Sequence, residues 1–389
     1  MTHPGIIALL GAYVLSQFYR AFLAVLAPVL ERDLGAGADD LALASGLWFL
    51  TFAAMQIPVG EALDRIGPRR TAATLFLLGG AGGAAVFALA TAPWHITLAM
   101  ILIGIGCSPV MMASYFIFAR SFPPAAFATL GAMVIGIGSL GNLASAAPMA
   151  WAEATIGWRA TLWVLAAVTA AIALAVWRLV DDPPPAPRDA QGSVIDLLKI
   201  PALWLIFPLM AVQYAPSMGL RGLWAGPYSA DVFGADPAMI GTVTLVMGLV
   251  MVVGNFGYGP MDRLLRTRKW VAFGGNLGGA LACLALWAFW DHSLWLSTVL
   301  LSLIGLFGAS FAVLIAHAKA LFPPHLTGRG VTLMNLFGVG GVGLGQIATR
   351  QIHASHGGAP EAFPAIFLYF GVTLLIGLAL YLFTEDRLD

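Results

Sequence analysis

Long apolar runs separated by short polar turns set the rhythm of this chain. The first six cover about Gly5–Leu30, Leu41–Leu63, Thr71–Ala92, Trp94–Ala119, Ala125–Trp151 and Trp158–Val180. After a polar interval a second series follows, at about Pro201–Ala230, Pro237–Pro260, Trp270–Trp290, Ser293–Leu321, Gly330–His353 and Ala362–Phe383. Each is long enough for the ~20 residues with which a helix crosses the hydrocarbon of a bilayer. Lipid offers no hydrogen bonds to the backbone, so runs this uniform fold as helices. The pattern predicts an all-α polytopic membrane protein with twelve transmembrane helices in two bundles of six. The first run lacks the short apolar stretch and small-residue cleavage site of a signal peptide and reads as a retained span.

The polar interval, Asp181 to Lys199, reads DDPPPAPRDAQGSVIDLLK. Proline-rich polar sequence neither spans lipid nor builds a core. It predicts a linker over 181–200, with a short surface helix near Val194–Leu198, between an N-terminal bundle (1–180) and a C-terminal bundle (201–389). The halves echo each other: Ser121-Phe-Pro-Pro124 returns as Leu321-Phe-Pro-Pro324, and Asp64-Arg65 returns as Asp262-Arg263. Parallel repeats about an axis along the membrane normal fit such a chain.

Composition narrows the classes. The chain is 60% hydrophobic and 10% charged, against about 25% charged residues in a soluble domain. Its surroundings are therefore lipid. The formal net charge is zero, and no basic tail points to nucleic acid. Cys107 and Cys283 lie in apolar runs of different halves, with no disulfide framework and no metal spacing. The glycine runs Gly136-Ile-Gly138 and Gly338-Val-Gly-Gly-Val-Gly343 lack the strand and acidic residue of a dinucleotide site. No phosphate-binding loop and no nucleophile–base pair stand out, so neither an enzyme nor a cofactor is expected. Among the 19 Lys and Arg residues, only Arg32, Arg159 and Arg350 fall on the side opposite the linker. That asymmetry puts both termini in the cytoplasm.

Two arginines sit inside the apolar runs: Arg20 in SQFYRAFLAVLAP and Arg221 in APSMGLRGLWAGP. They occupy the equivalent first helices of the two halves, offset by nearly the same distance as the Pro-Pro repeats. At ~1.5 Å of rise per residue they are expected at similar depth, facing each other across a wet central chamber. A buried arginine is costly unless it faces water or a partner. All acidic residues fall in loops or at helix ends, so the missing counter-charge points to a bound anion. The guanidinium fork suits a carboxylate or a phosphate. The plainer reading is an arginine that snorkels to a helix end or bonds backbone carbonyls.

The loop GEALDRIGPRR, Gly60 to Arg70, holds Asp64, Arg65, Arg69 and Arg70 between two glycines, Gly60 and Gly67. Charge alone makes it a positive-inside loop. Its order, Gly-x-x-x-Asp-Arg-x-Gly-x-Arg-Arg, resembles the loop between helices 2 and 3 of the major facilitator superfamily. The resemblance implies the major facilitator fold and a secondary transporter working by alternating access. It also implies that this loop, with its echo at Asp262 and Arg263, is a cytoplasmic latch. The arginine pair, with Tyr19-Arg20 and Leu223-Trp-Ala-Gly-Pro-Tyr228, resembles the organophosphate:phosphate exchangers and sugar-phosphate-like permeases of that superfamily. In that subgroup both arginines hold the phosphoryl group. The membrane lysine of the subgroup has no counterpart here, which leaves carboxylates open beside phosphate esters.

Gln17, Tyr19, Tyr115, Gln213, Tyr214 and Asn335 are candidates to complete a solute site, with Tyr13, Asn142 and Gln346 near them; each alone also reads as helix–helix glue. His317, well inside a span, is the candidate proton carrier or a structural histidine. The leading reading is secondary transport of a small organic anion, symport or antiport, by a monomer in a bacterial inner membrane. Alternatives are proton-coupled efflux or uptake of a hydrophobic drug, an amino acid or copper, the last suggested by Met247 and Met251. A solute-sensing receptor is the remaining one. The expected partners are the solute and the bilayer.

Overall fold

The computed structural model describes residues 3–122, 124–183, 194–323 and 326–387. Within them we label twelve spans. The first unit holds α1 (Pro4–Phe18 and Leu23–Leu34), α2 (Ala38–Leu63), α3 (Pro68–Ala88), α4 (Pro93–Phe118), α5 (Met133–Ala144 and Ala147–Ile156) and α6 (Trp158–Leu179). The second holds α7 (Pro201–Phe233), α8 (Pro237–Tyr258), α9 (Lys269–Ala288), α10 (Leu294–Lys319), α11 (Arg329–Ser355) and α12 (Ala362–Tyr381). Ten are long and apolar enough to cross a membrane as they stand, and the bent pairs α1 and α5 bring the total to twelve. The chain divides into two compact units, Met1–Arg188 and Asp189–Asp389. The predicted surface helix is present at Val194–Leu198, whereas linker residues 184–193 lie outside the described residues.

Both units use one packing scheme. In the first, α1 packs on α5 and α6, α2 on α4, and α3 on α4 and α6; in the second, α7 packs on α11 and α12, α8 on α10, and α9 on α10 and α12. Glycine sets the closest crossings. A Cβ on Gly141 of α5 would stand 1.9 Å from the Val14 carbonyl oxygen of α1, and one on Gly341 of α11 would stand 1.7 Å from that of Ala211 on α7. Without a hydrophobic force between helices in lipid, such backbone approach supplies much of the adhesion. Trp94, Trp270 and Trp295, each the second residue of its helix, are exposed, where amphipathic indoles settle at a membrane–water boundary.

Several predicted helices are interrupted, α1, α5 and α7 most strongly. α1 bends by 54° between Phe18 and Leu23. There the Arg20 and Ala21 amides bond the carbonyls three residues back, those of Gln17 and Phe18. No proline or glycine stands at that break; tertiary packing sets it. α5 bends by 43° at Ser145–Ala146, next to Pro148, and Gly157 at φ 78° turns the chain into α6. α7 is a composite: a 3-10 turn at Pro201–Leu205, helices at Phe207–Gln213 and Ala215–Gly219, and a π-turn at Leu220–Trp224. Pro208 and Pro216 lack the amide N–H that a regular helix would need there.

The ends of the two units are tied alike. After α6, the Asp182 carboxylate accepts from the Arg69 amide at the start of α3 (2.8 Å), and Arg69 Nε lies 3.4 Å away. After α12, Asp386 accepts from the Arg268 and Lys269 amides at the start of α9 (3.1 and 3.0 Å). Each carboxylate satisfies orphan helix-start amides and meets the positive end of the dipole. Burial raises the Asp386 carboxyl, but the hydrogen bonds from Thr267 and the two amides outweigh it and hold the group below its ordinary value.

Outcomes follow for the glycine crossings and for the two carboxylates. Gly141→Ala and Gly341→Ala should each destabilise by at least the ~1–3 kcal/mol of an overpacked core. Gly136→Ala, with nothing within 4 Å of its added Cβ and a gain in helix propensity, should not lower the detergent melting temperature. Asp182→Ala should cost about 1 kcal/mol as a lost helix cap. For Asp386, a depressed folded value means stability that is present above the ordinary carboxylate value, ~4, and lost as pH falls through the folded one. The melting-temperature gap between wild type and Asp386→Asn should therefore be full at neutral pH and close below pH ~4.

Candidate functional site

Arg20 stands in the break of α1 and is 8% exposed. Its guanidinium carbon lies 4.9 Å from the ring centre of Phe52 and 5.6 Å from that of Trp48, both on α2. The two rings stack on each other at 5.2 Å. Among the described residues no carboxylate pairs with Arg20, and its buried Nε has no hydrogen-bond partner; neither does the buried Nε1 of Trp48. Cation–π contact contributes about 2 kcal/mol when desolvated. A charge held away from water in a membrane costs about 2.5–3.5 kcal/mol or more. The rings offset part of that cost, and Nε still lacks an acceptor among the described residues. Beside them Tyr19 shares a hydrogen bond with Thr169 (2.9 Å), and Gln17 donates to the Tyr13 hydroxyl (3.0 Å).

Arg221 lies on the π-turn of α7 and is 2% exposed. Around this turn, Gln346 of α11 donates to the Gly219 carbonyl (3.1 Å), and the Trp224 indole donates to Thr349 (2.9 Å). Gln346 thus caps a carbonyl at the start of the π-turn, and Thr349 accepts the indole hydrogen at its end. Tyr214 lies against Phe311, ring centres 4.7 Å apart. Tyr115 on α4 and Asn335 on α11 are half-buried. Both arginines are thus buried, where the sequence reading expected open water around them.

Gln213 is 2% exposed and lines a small pocket inside the second unit. His317 is fully buried, its Nδ1 2.6 Å from the Tyr381 hydroxyl and its Nε2 2.8 Å from the Glu385 carbonyl. A carbonyl only accepts, so Nε2 carries a hydrogen, while the phenol can serve Nδ1 as donor or acceptor. Both ring nitrogens have partners, and the ring ties α10 to the segment after α12.

In the loop resembling a latch, Gly67 has φ 101° and a Cβ there would meet the Asp182 carboxylate at 3.0 Å. Arg65 pairs with Glu61 (2.8 Å), Arg70 is exposed, and Gly60 faces Met112. The side chain of Asp64 lies outside the described residues. In the echoing loop Asp262 lies 3.4 Å from Arg268 Nε, and Arg263 is exposed. Sequence reasoning missed Trp48, Phe52, Asp182 and Asp386. The signals were available: Trp48 and Phe52 are spaced four apart on one helix face, and an acidic pair follows the last helix of each half, Asp181-Asp182 and Glu385-Asp386.

The Major Facilitator Superfamily model matches residues 9–223 and 203–389. The chain belongs to the major facilitator superfamily. As a member it is an integral membrane transporter of small solutes. Solved structures of other facilitators share its fold. A bacterial homolog of the human lysosomal transporter Spinster, inward-facing and unoccupied, has a TM-score of 0.76 at 18% identity over 98% of this chain and 97% of that one. A D-xylose–proton symporter gives 0.73 at 14% over 95% and 96%, and the nucleoside transporter NupG 0.73 at 14% over 98% and 99%. No curated protein matches the facilitator in sequence. Among the described residues no group of three His, Cys, Asp or Glu side chains could hold a metal ion.

Proposed function

We propose that this facilitator carries a small organic anion, a carboxylate or a phosphate ester, and that Arg20 and Arg221 contact its charged group. The observation that carries the reading is Arg20: a buried guanidinium with aromatic support, no carboxylate among the described residues, and an unfilled Nε beside an unfilled indole N–H. An anion would supply the acceptors that the protein lacks, and charge-assisted, two-point bonding is what the guanidinium fork favours. The organophosphate-exchanger resemblance of the arginine pair supports the same class. Tyr19, Gln17, Tyr115, Tyr214 and Asn335 supply further polar contacts in this reading. The asymmetry of Lys and Arg supports a bacterial inner-membrane protein with both termini cytoplasmic. Transport proceeds by alternating access of the two six-helix bundles, biased by unequal contact of the solute with the two shapes.

The test is a melting-temperature screen of the purified facilitator against phosphate esters, carboxylates, amino acids and neutral sugars, followed by counterflow of labelled hits in proteoliposomes. A ligand at a hundred times its Kd adds about 2.7 kcal/mol, enough to read. Arg20→Gln and Arg221→Gln should each abolish the shift given by the anion. Arg20→Lys keeps charge but loses the fork and should weaken it. Ligand-free Arg20→Gln should melt no lower than wild type, because it removes a charge that the fold only partly offsets. An undiminished anion shift in both glutamine variants overturns the proposal.

A further inference from the structure

We propose that the second unit holds an ordered water at Gln213, in a pocket between α7, α9, α10 and α12. Gln213 ends the helix Phe207–Gln213, and neither its Nε2 nor its Oε1 has a hydrogen-bond partner among the described residues, although the side chain is 2% exposed. Leaving both ends of a buried amide unmade is among the costliest arrangements a core can carry. Pro216 also lines the pocket, and it removes the N–H that would bond the Val212 carbonyl. In proline-broken membrane helices such freed groups are re-satisfied by neighbouring side chains or ordered waters. On the facing wall, Asn276 donates to the Ala272 carbonyl (2.8 Å) and lies 3.4 Å from Ser310 Oγ, which leaves its own oxygen as an acceptor.

Glycines make the room. Gly275 and Gly279 of α9 and Gly308 of α10 all line the pocket. It leaves about 10 Å³ open to the centre of a water molecule, the space that one buried water requires. A lone cation suits the wall poorly, because the amide NH2 of Gln213 needs an acceptor as much as its oxygen needs a donor. Water is both. The bound water stands in for the partners that α7 loses at its break, about two turns before the π-turn that carries Arg221.

A double-mutant cycle read by melting temperature, without any solute, tests this independently of the anion reading. A Cβ on Gly279 would make only ordinary contacts, 3.7 Å to Phe307 Cβ and 3.8 Å to Leu374 Cδ1. Gly279→Ala therefore fits, fills the pocket, and favours the helix. With Gln213 present it evicts the water, so the melting temperature should fall. In the Gln213→Met background no amide needs the water, and the same alanine should raise it. Opposite signs in the two backgrounds are the expected coupling between neighbours. A shift of the same sign in both, or no shift with Gln213 present, overturns the proposal.

Discussion

Lipid cannot hydrogen-bond, and this one fact orders nearly every polar group in the facilitator. Thr51, Ser114, Thr169, Thr244 and Thr349 each turn the hydroxyl back to the carbonyl four residues earlier on their own helix. Gln346 covers a carbonyl at the start of the π-turn of α7. The Tyr228 hydroxyl finds Ser297 and the Trp290 carbonyl. Where polar groups lie at helix ends, Asp182 and Asp386 meet the amides of α3 and α9. Against that background, the few buried groups without partners stand out as places where something else completes the structure.

The same constraint explains why the helices are held by glycine. Apolar faces gain nothing from meeting each other when lipid tails are equally apolar, so adhesion comes from contact distance. Gly106 of α4 is so close to α3 that a Cβ would stand 2.1 Å from the Gly80 amide nitrogen. Crossings of this kind repeat between α1 and α5 and between α7 and α11. They give each unit a rigid frame on which the broken segments of α1 and α7 can be displayed. Irregular backbone is tolerable there because neighbouring helices cover it.

Much of this was legible along the chain. Twelve apolar runs follow from hydrophobicity, the duplicated halves from two short repeats, and the family likeness from the order of residues in the loop from Gly60 to Arg70. The short helix at Val194–Leu198 was visible against its proline-rich surroundings. What escaped notice was local geometry set by packing. The bend of α1 has no proline or glycine to announce it, since the residues from Gln17 to Ala24 read QFYRAFLA. The exposure expected of Arg20 was wrong for the same reason: depth along a helix can be counted from sequence, but the α2 rings that cover the guanidinium cannot. His317 shows the converse. An intramembrane histidine invites a proton-carrying role from sequence alone, while its partners, Tyr381 and the Glu385 carbonyl, come from the far end of the chain and could not be read from its neighbours.

Arg20 and Gln213 are then two answers to one question, what fills a polar gap at a helix break. Gln213 is neutral and needs a donor and an acceptor at once, which the proposed water would supply together. Arg20 is charged, and its aromatic neighbours return only part of what burial takes. A permanent carboxylate on α2 would have closed that gap, and the sequence places Trp48 and Phe52 there instead. On the anion reading proposed above, a fold that leaves the Arg20 Nε without an acceptor retains free energy that a bound anion would release. In that reading the difference is concentrated at the break in α1, where unequal contact with a solute would favour one shape of the carrier over another.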